Sequence, residues 1–363
     1  MTKAFRRHSS RTGKRSDVQR EFDKFVGRKI LFMFALMVLA VILVGVSVTF
    51  GPLEITVLEV YEAIIQRILS TDLGMDELTE LVIWNIRLPR IMWGLAAGFG
   101  LGVAGCIMQA VLRNPLASPF TLGISAGANF GVSLAIILDF AIFGGMYAVI
   151  GNAFIFAFLT SMIIIGISAI KGGTVEILIL AGIALNYVFR AASDLFKYFA
   201  TYEQKEATQA FGQGDLGTFG WSELSLVALI ILVCMILVTP KLRDLNIMTA
   251  GDETAKSLGI DAGNLRMFVM MVASFLVASV VAFVGPIGFV GLVGPHMSRM
   301  IIGSDHRFQL PASGLLGAII LVASDILGMN IIPPIIIPVG IMTSILGVPF
   351  FFYLILTRRR EYW

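Results

Sequence analysis

Charge is what this sequence has least of. Asp, Glu, Lys and Arg make up 14% of its 363 residues, against about 25% in soluble globular chains, which argues strongly against a soluble enzyme. Cysteine is nearly absent: Cys106 and Cys234 both sit inside apolar runs and supply neither a disulfide framework nor a metal cluster. The three histidines, His8, His296 and His306, lack metal-ligand spacing, and no pair of acids shares a helical face. There is no G-x-x-x-x-G-K-[ST] run; the only Gly-Lys, Gly13-Lys14, is followed by Arg15. The chain therefore shows no cradle for nucleotide phosphates and no catalytic cluster.

Apolar residues fill the space. They form 57% of the chain, and mean hydropathy is +0.88. A membrane-crossing helix needs about 20 apolar residues, so this pool supplies about ten. The spans predicted are 30–50, 91–112, 119–138, 147–170, 177–199, 224–240, 267–284, 287–303, 312–332 and 335–356. Residues 267–298 and 326–357 are each free of charge over 32 positions. A straight helix of that length would reach about 48 Å, against a hydrocarbon core of about 30 Å. Gly285–Pro286 and Pro333–Pro334 offer the breaks. Broken helices at membrane depth need protein or a water-filled cavity over the freed backbone, which favours a transport path.

The charges that remain are sorted by side. Ten Lys/Arg precede Ile30 against Asp17, Glu21 and Asp23. With an even number of spans, Arg113, Lys171, Lys241, Arg243, Lys256, Arg266, Arg299 and Arg307 fall on the amino-terminal side. Segments 51–90 and 200–223, on the other side, are acid-rich. The positive-inside rule then places both termini in the cytoplasm. The basic amino terminus has no nucleic-acid module behind it and reads as a membrane anchor.

Gly100-Leu-Gly102-Val-Ala-Gly105 matches a dinucleotide fingerprint, but it lies inside an uncharged span with Gly98, where close helix packing is the better reading. Ionisable residues inside spans are functional candidates. They are Arg190, Asp194 and Lys197 in the fifth span and Asp325 in the ninth, with Glu176 near the cytoplasmic end of the fifth. Arg190 and Asp194, four apart, can face one another, as an ion pair or as substrate contacts. The longest cytoplasmic connection, 241–266, contains a short amphipathic stretch from Gly251 to Asp261, with Ala255, Leu258 and Ile260 beside Asp252, Glu253 and Lys256. Such a stretch suits docking to a cytosolic partner.

Several stretches together resemble the FecCD family of permease subunits in ATP-binding-cassette (ABC) importers for iron–siderophores, haem and vitamin B12. They are Arg87-Leu-Pro-Arg90, Gly105 with Gln109, Arg113-Asn-Pro-Leu-Ala-Ser-Pro119 and Leu122-Gly-Ile-Ser-Ala-Gly-Ala128. The Gly251–Gly259 loop, Gly288-Phe-Val-Gly-Leu-Val-Gly-Pro-His296 with Arg299, Asp305-His-Arg307, Asp325 and Pro338-Val-Gly340 through Gly347-Val-Pro-Phe350 complete the set, in family order. Met329 stands where the family usually has an arginine, Ile336 and Ile337 where a Glu is usual, and Phe211-Gly-Gln-Gly-Asp215 replaces F-W-x-x-G-S.

The resemblance implies an all-α, polytopic dimer of ten-helix permeases, each with a permease domain over 30–357 between cytoplasmic tails at 1–29 and 358–363. Two ABC ATPase subunits would hold the ATP and magnesium, leaving this chain without cofactor, metal or catalytic role. A substrate-binding protein would dock on the opposite side, its acids received by Arg87 and Arg90, expected to be exposed guanidiniums at the outer mouth. Gly251, Asp252, Glu253, Ala255, Leu258 and Gly259 would rest on the ATPase. Thr174, Val175 and Glu176 would fall at the cytoplasmic gate. The expected cargo is an iron(III)–siderophore-type complex, with a corrinoid or haem as the alternative and an ion-coupled secondary transporter as the rival mechanism. The second permease would be identical or a paralogue, and the site of action the cell membrane.

Overall fold

A computed structural model describes residues 9–51, 55–69, 76–171 and 174–357. Residues 1–8 of the tail expected at 1–29, and all of the tail expected at 358–363, lie outside the described residues. In chain order the helices are α1 (Ser9–Thr49), α2 (Val57–Leu69), α3 (Glu77–Val82), α4 (Leu88–Val111), α5 (Ile124–Ile137), α6 (Ala148–Ile170), α7 (Val175–Phe199) and α8 (Tyr202–Gln213). They continue with α9 (Trp221–Val238), α10 (Leu242–Met248), α11 (Asp252–Ser257), α12 (Ala262–Val284), α13 (Val290–Ile302), α14 (His306–Asn330) and α15 (Val339–Thr357). Among the described residues there is no strand, only an isolated bridge between Ile332 and Ile335.

Each expected span coincides with one helix: α1, α4, α5, α6, α7, α9, α12, α13, α14 and α15. Among the described residues seven helical stretches are long and apolar enough to cross a bilayer, while α5 and α15 are shorter apolar helices and α13 has 13 residues. Both proposed breaks occur. The backbone of Gly285 turns left-handed at φ +72° and ends α12, and α14 ends before Pro333.

The centre is α4, packed on α12, α13 and α14, with α5, α6 and α7 forming a second layer against α12 and each other. Small residues let α4 approach this closely. A Cβ added to Gly102 would collide with the Ser313 carbonyl of α14, and one added to Gly105 with the Gly291 carbonyl of α13. The glycines expected to serve helix packing do so.

Three connections are more structured than expected. Residues 9–29 of the expected basic tail are helical, the first half of α1, continuous with the span over 41 residues. Residues 77–111 run as one helical stretch, α3 passing through a π-helical turn at Ile83–Arg87 into α4. Arg87 and Arg90 therefore lie within a helix rather than in a loop before it. Third, 200–223 is not a plain outer loop, because α8 folds back along α5. Its start is pinned where the Gln204 amide donates to the Ile136 carbonyl at 3.0 Å, and its end reaches the α12–α13 break, where the Asp215 N–H donates to the Val284 carbonyl at 2.9 Å.

Candidate functional site

α8 starts on a capping box: the Thr201 hydroxyl accepts from the Gln204 N–H, and the Gln204 side chain accepts from the Thr201 N–H. This satisfies two orphan amides at once and fixes the point at which the chain turns back. Because α8 then runs beside α5 and faces α7, the three helices enclose an open cleft of about 420 Å³. Asn129 of α5, Asn186, Arg190, Asp194 and Lys197 of α7, and Gln209 and Gln213 of α8 give it a polar wall, with Phe120 and Pro286 also lining it.

The charges in this wall do not pair as four-residue spacing suggested. Asp194 meets Lys197 at 3.8 Å, and no ion pair joins it to Arg190. Only 11% of the apolar window of α7 is buried, and Tyr187, Arg190, Asp194 and Tyr198 lie on its exposed side. The lipid-compatible case is α1, equally uncovered but presenting Leu31, Phe34, Met37, Val41 and Ile42. A membrane helix with charges on its open face cannot turn that face to hydrocarbon; it must line water or meet another chain.

At the end of the molecule that carries α3 and α8, the expected exposed arginines are buried. Arg87 is 7% and Arg90 9% exposed. The Arg87 guanidinium donates to the Val48 carbonyl and lies against the turn at Gly51. Arg90 makes a fork to Asp325 of α14, Nη2 to Oδ1 at 2.8 Å and Nε to Oδ2 at 2.9 Å, and its Nη1 stands 3.4 Å from Asp215. The loop after α8 closes over it, with Gly217 so near that a side chain there would strike the guanidinium. The physical reason for the correction is this partner set. Asp325, 2% exposed, would otherwise be an uncompensated buried charge.

At the opposite end the amphipathic stretch expected from Gly251 to Asp261 carries one short helix, α11, with α10 just before it. Glycines bound it as expected, Gly251 at φ +124° and Gly259 at φ +80°. The apolar stripe is split: Ala255 is buried, Ile260 half-buried, and Leu258 points outward at 62% exposure. Glu253 and Asp252 are both exposed, but the Asp252 carboxylate reaches back to the fold. It pairs with Arg113 at the end of α4 and accepts from Arg266 of α12 at 3.0 Å through both oxygens. Partial burial would raise the Asp252 pKa; the two arginines outweigh it and hold the carboxyl below its ordinary value. Arg113 is brought there by a left-handed turn at φ 45°, and its Nε donates to the Met248 carbonyl at 3.2 Å. Asp305 caps α14 and accepts from Asn246 of α10 at 2.9 Å, while Arg307, above all, draws its pKa down.

Thr174 is exposed at the start of α7, Val175 is half-buried against the core, and Glu176 is exposed. A second cleft, about 180 Å³, lies beside them between α6, α7 and α12, lined by Ser168, Leu178, Met270 and Arg266. Arg266 thus touches both the Asp252 clasp and the cleft at the foot of α7. Among the described residues no group of three metal-ligating side chains comes together.

The model of the FecCD transport family matches residues 37–357. The chain belongs to the FecCD transport family. An ABC transporter permease protein of Methanocaldococcus jannaschii is 42% identical over 94% of this chain and 98% of its own length. The hemin transport system permease protein of Yersinia pestis is 39% identical over 77% of this chain and 84% of its own. Among solved structures, an inward-facing metal-chelate type ABC transporter aligns with a TM-score of 0.79 and 30% identity, over 90% of this chain and 99% of that one. As a FecCD member the chain is a multi-pass membrane permease of the ABC-importer class.

Sequence reasoning missed two features of these ends of the fold. One is α8, whose T-x-x-Q start at Thr201 and Gln204 was the available signal. The other is Asp215, whose contact with Arg90 spans 125 positions and leaves no local trace.

Proposed function

We propose that this FecCD permease carries an iron(III)–siderophore-type complex inward as the membrane part of a binding-protein-dependent importer, with ATP and magnesium held on two copies of a separate ATPase subunit. The observation that carries this reading is the polar face of α7 and its cleft. Two copies of the chain, identical or paralogous, would set these faces opposite one another and enclose a wet path between them, keeping Arg190, Asp194 and Lys197 from lipid. The metal-chelate likeness of the solved neighbour supports the cargo class. The hemin permease at 39% identity makes haem the second reading.

In this reading both termini face the cytoplasm, and the α10–α11 end rests on the ATPase. Leu258 and Glu253 face outward for contact, while Asp252 passes movement through Arg266 to the foot of α7, where Thr174, Val175 and Glu176 form the gate. The binding protein docks at the opposite end. There Arg87 and Arg90 act from beneath the 48–51 and 214–220 turns rather than as open guanidiniums, so Arg90 meets an incoming acid only if Asp215 yields.

The test is uptake in a strain lacking this chain and in the complemented strain, with and without ATP depletion. Radiolabelled iron on siderophores, hemin and cobalamin are the cargoes. ATP-dependent loss of an iron chelate or hemin supports the reading. Uptake that survives ATP depletion and collapses with an uncoupler overturns it in favour of an ion-coupled carrier.

A further inference from the structure

The cleft contains one charge that the fold does not answer. α5 contributes no ionisable side chain to it, and α8 contributes only amides and a hydroxyl: Gln209, Gln213 and Thr208. On α7, Lys197 and Asp194 stand 3.8 Å apart and cancel formally. Arg190 is left, exposed on the cleft wall, without an ion pair or hydrogen bond to another described residue. It lies nine residues from the end of α7, about 14 Å along a helix long and apolar enough to cross a bilayer.

An arginine well inside such a helix is costly unless something pairs with it. Its fork geometry fits carboxylate, catecholate or other paired oxygen anions better than a neutral amide. Amides from three helices surround it, and Asn129 Oδ1 is itself buried without a hydrogen-bond partner. Tyr187 and Tyr198 flank it on the same open side of α7, at 74% and 78% exposure. This set offers one fixed cation, neutral hydrogen-bonding groups and ring faces.

We propose that Arg190 is a cargo-recognising residue and that the cargo is a metal chelate of net negative charge, with anionic oxygen groups at its periphery. The inference rests on the transport reading above and narrows it. A neutral trihydroxamate chelate or a corrinoid would gain nothing from an unanswered guanidinium and would leave it unpaired during passage. Two copies of the chain would present two such cations across the path, a match for a chelate with anionic groups on opposite sides.

The experiment compares the whole importer carrying wild-type chain, Arg190→Gln or Arg190→Lys, in a strain lacking the native chain. The probes are radiolabelled iron on a tricatecholate, on citrate and on a neutral trihydroxamate, with hemin and cobalamin. The expected result is uptake of one or more anionic probes by the wild type. Arg190→Gln should lower that uptake roughly tenfold or more, in line with loss of a charge-assisted hydrogen bond, and Arg190→Lys should retain a substantial part. ATPase co-purification should be unchanged in both variants. If the wild type carries only a neutral probe, or Arg190→Gln leaves anionic uptake intact, the proposal is overturned while the importer reading stands. If no probe depends on the chain, both fall. If Arg190→Gln disperses the purified complex, the residue belongs to the interface between subunits and the proposal is overturned.

Discussion

A buried arginine with two carboxylates is a different object from an exposed arginine awaiting a partner, and Arg90 is the former. Its fork to Asp325 joins α4 to α14 across 235 positions, and its third contact, Asp215, ties down the loop after α8. Removing one member of such a group leaves the other charge buried and uncompensated, at about 3–5 kcal/mol. Asp325→Asn should therefore lower the thermal unfolding midpoint of the purified chain sharply, whereas Arg90→Met with Asp325→Leu should recover much of it. Equal midpoints for Asp325→Asn and wild type would refute the structural role. Asp215, with its side chain half exposed, is the weaker arm; Asp215→Asn should cost far less by the same measurement. Asp325 stood out in the sequence as an acid inside a span, and Arg90 as a docking arginine, but their pairing with each other did not. Pairing across so many positions is settled by tertiary packing, and no local pattern announces it.

The elements were legible to the degree that their physics is local. Ten predominantly apolar runs became ten helices, because in hydrocarbon a spanning segment must satisfy its own backbone. The Gly285–Pro286 and Pro333–Pro334 breaks followed from proline's missing donor and clash. What escaped was α8, whose sequence of Glu, Gln and Lys reads as a solvated loop although the helix folds back against α5. Helix contact is the complementary test. Gly102 has the Ser313 carbonyl where a side chain would go, while Gly166 of α6 has open space around it. Gly102→Val should abolish recovery of monodisperse protein, since backbone must move to admit the side chain. Gly166→Val, a change of the same size, should be recovered at wild-type yield. Similar yields for both, read by size exclusion in detergent, would show that close approach of α4 to α14 does not control folding.

At the scale of the molecule, the two ends must communicate through the packed core for transport to follow hydrolysis elsewhere. Asp252 is the point at which α11 is fastened to that core, clasped by Arg113 of α4 and by Arg266 of α12 beside the foot of α7. Its carboxyl is held below its ordinary pKa, so the clasp contributes stability fully present above the unfolded value of about 3.9 and lost as pH falls through the lowered folded one. Between pH 5 and 8 the clasp should be pH-insensitive. Any change in wild-type coupling in that window has another origin. Asp252→Asn removes the charge without the size. It should leave ATPase subunits bound and hydrolysing while uptake falls several-fold, because the loop can then move without dragging α12 against α7. Asp252→Lys with Glu253→Lys should do so more severely, by setting like charges against Arg113 and Arg266. The measurement is the ratio of cargo transported to ATP hydrolysed in reconstituted vesicles. An unchanged ratio in Asp252→Asn would sink the relay. A parallel loss of hydrolysis and uptake would place Asp252 in assembly with the ATPase instead.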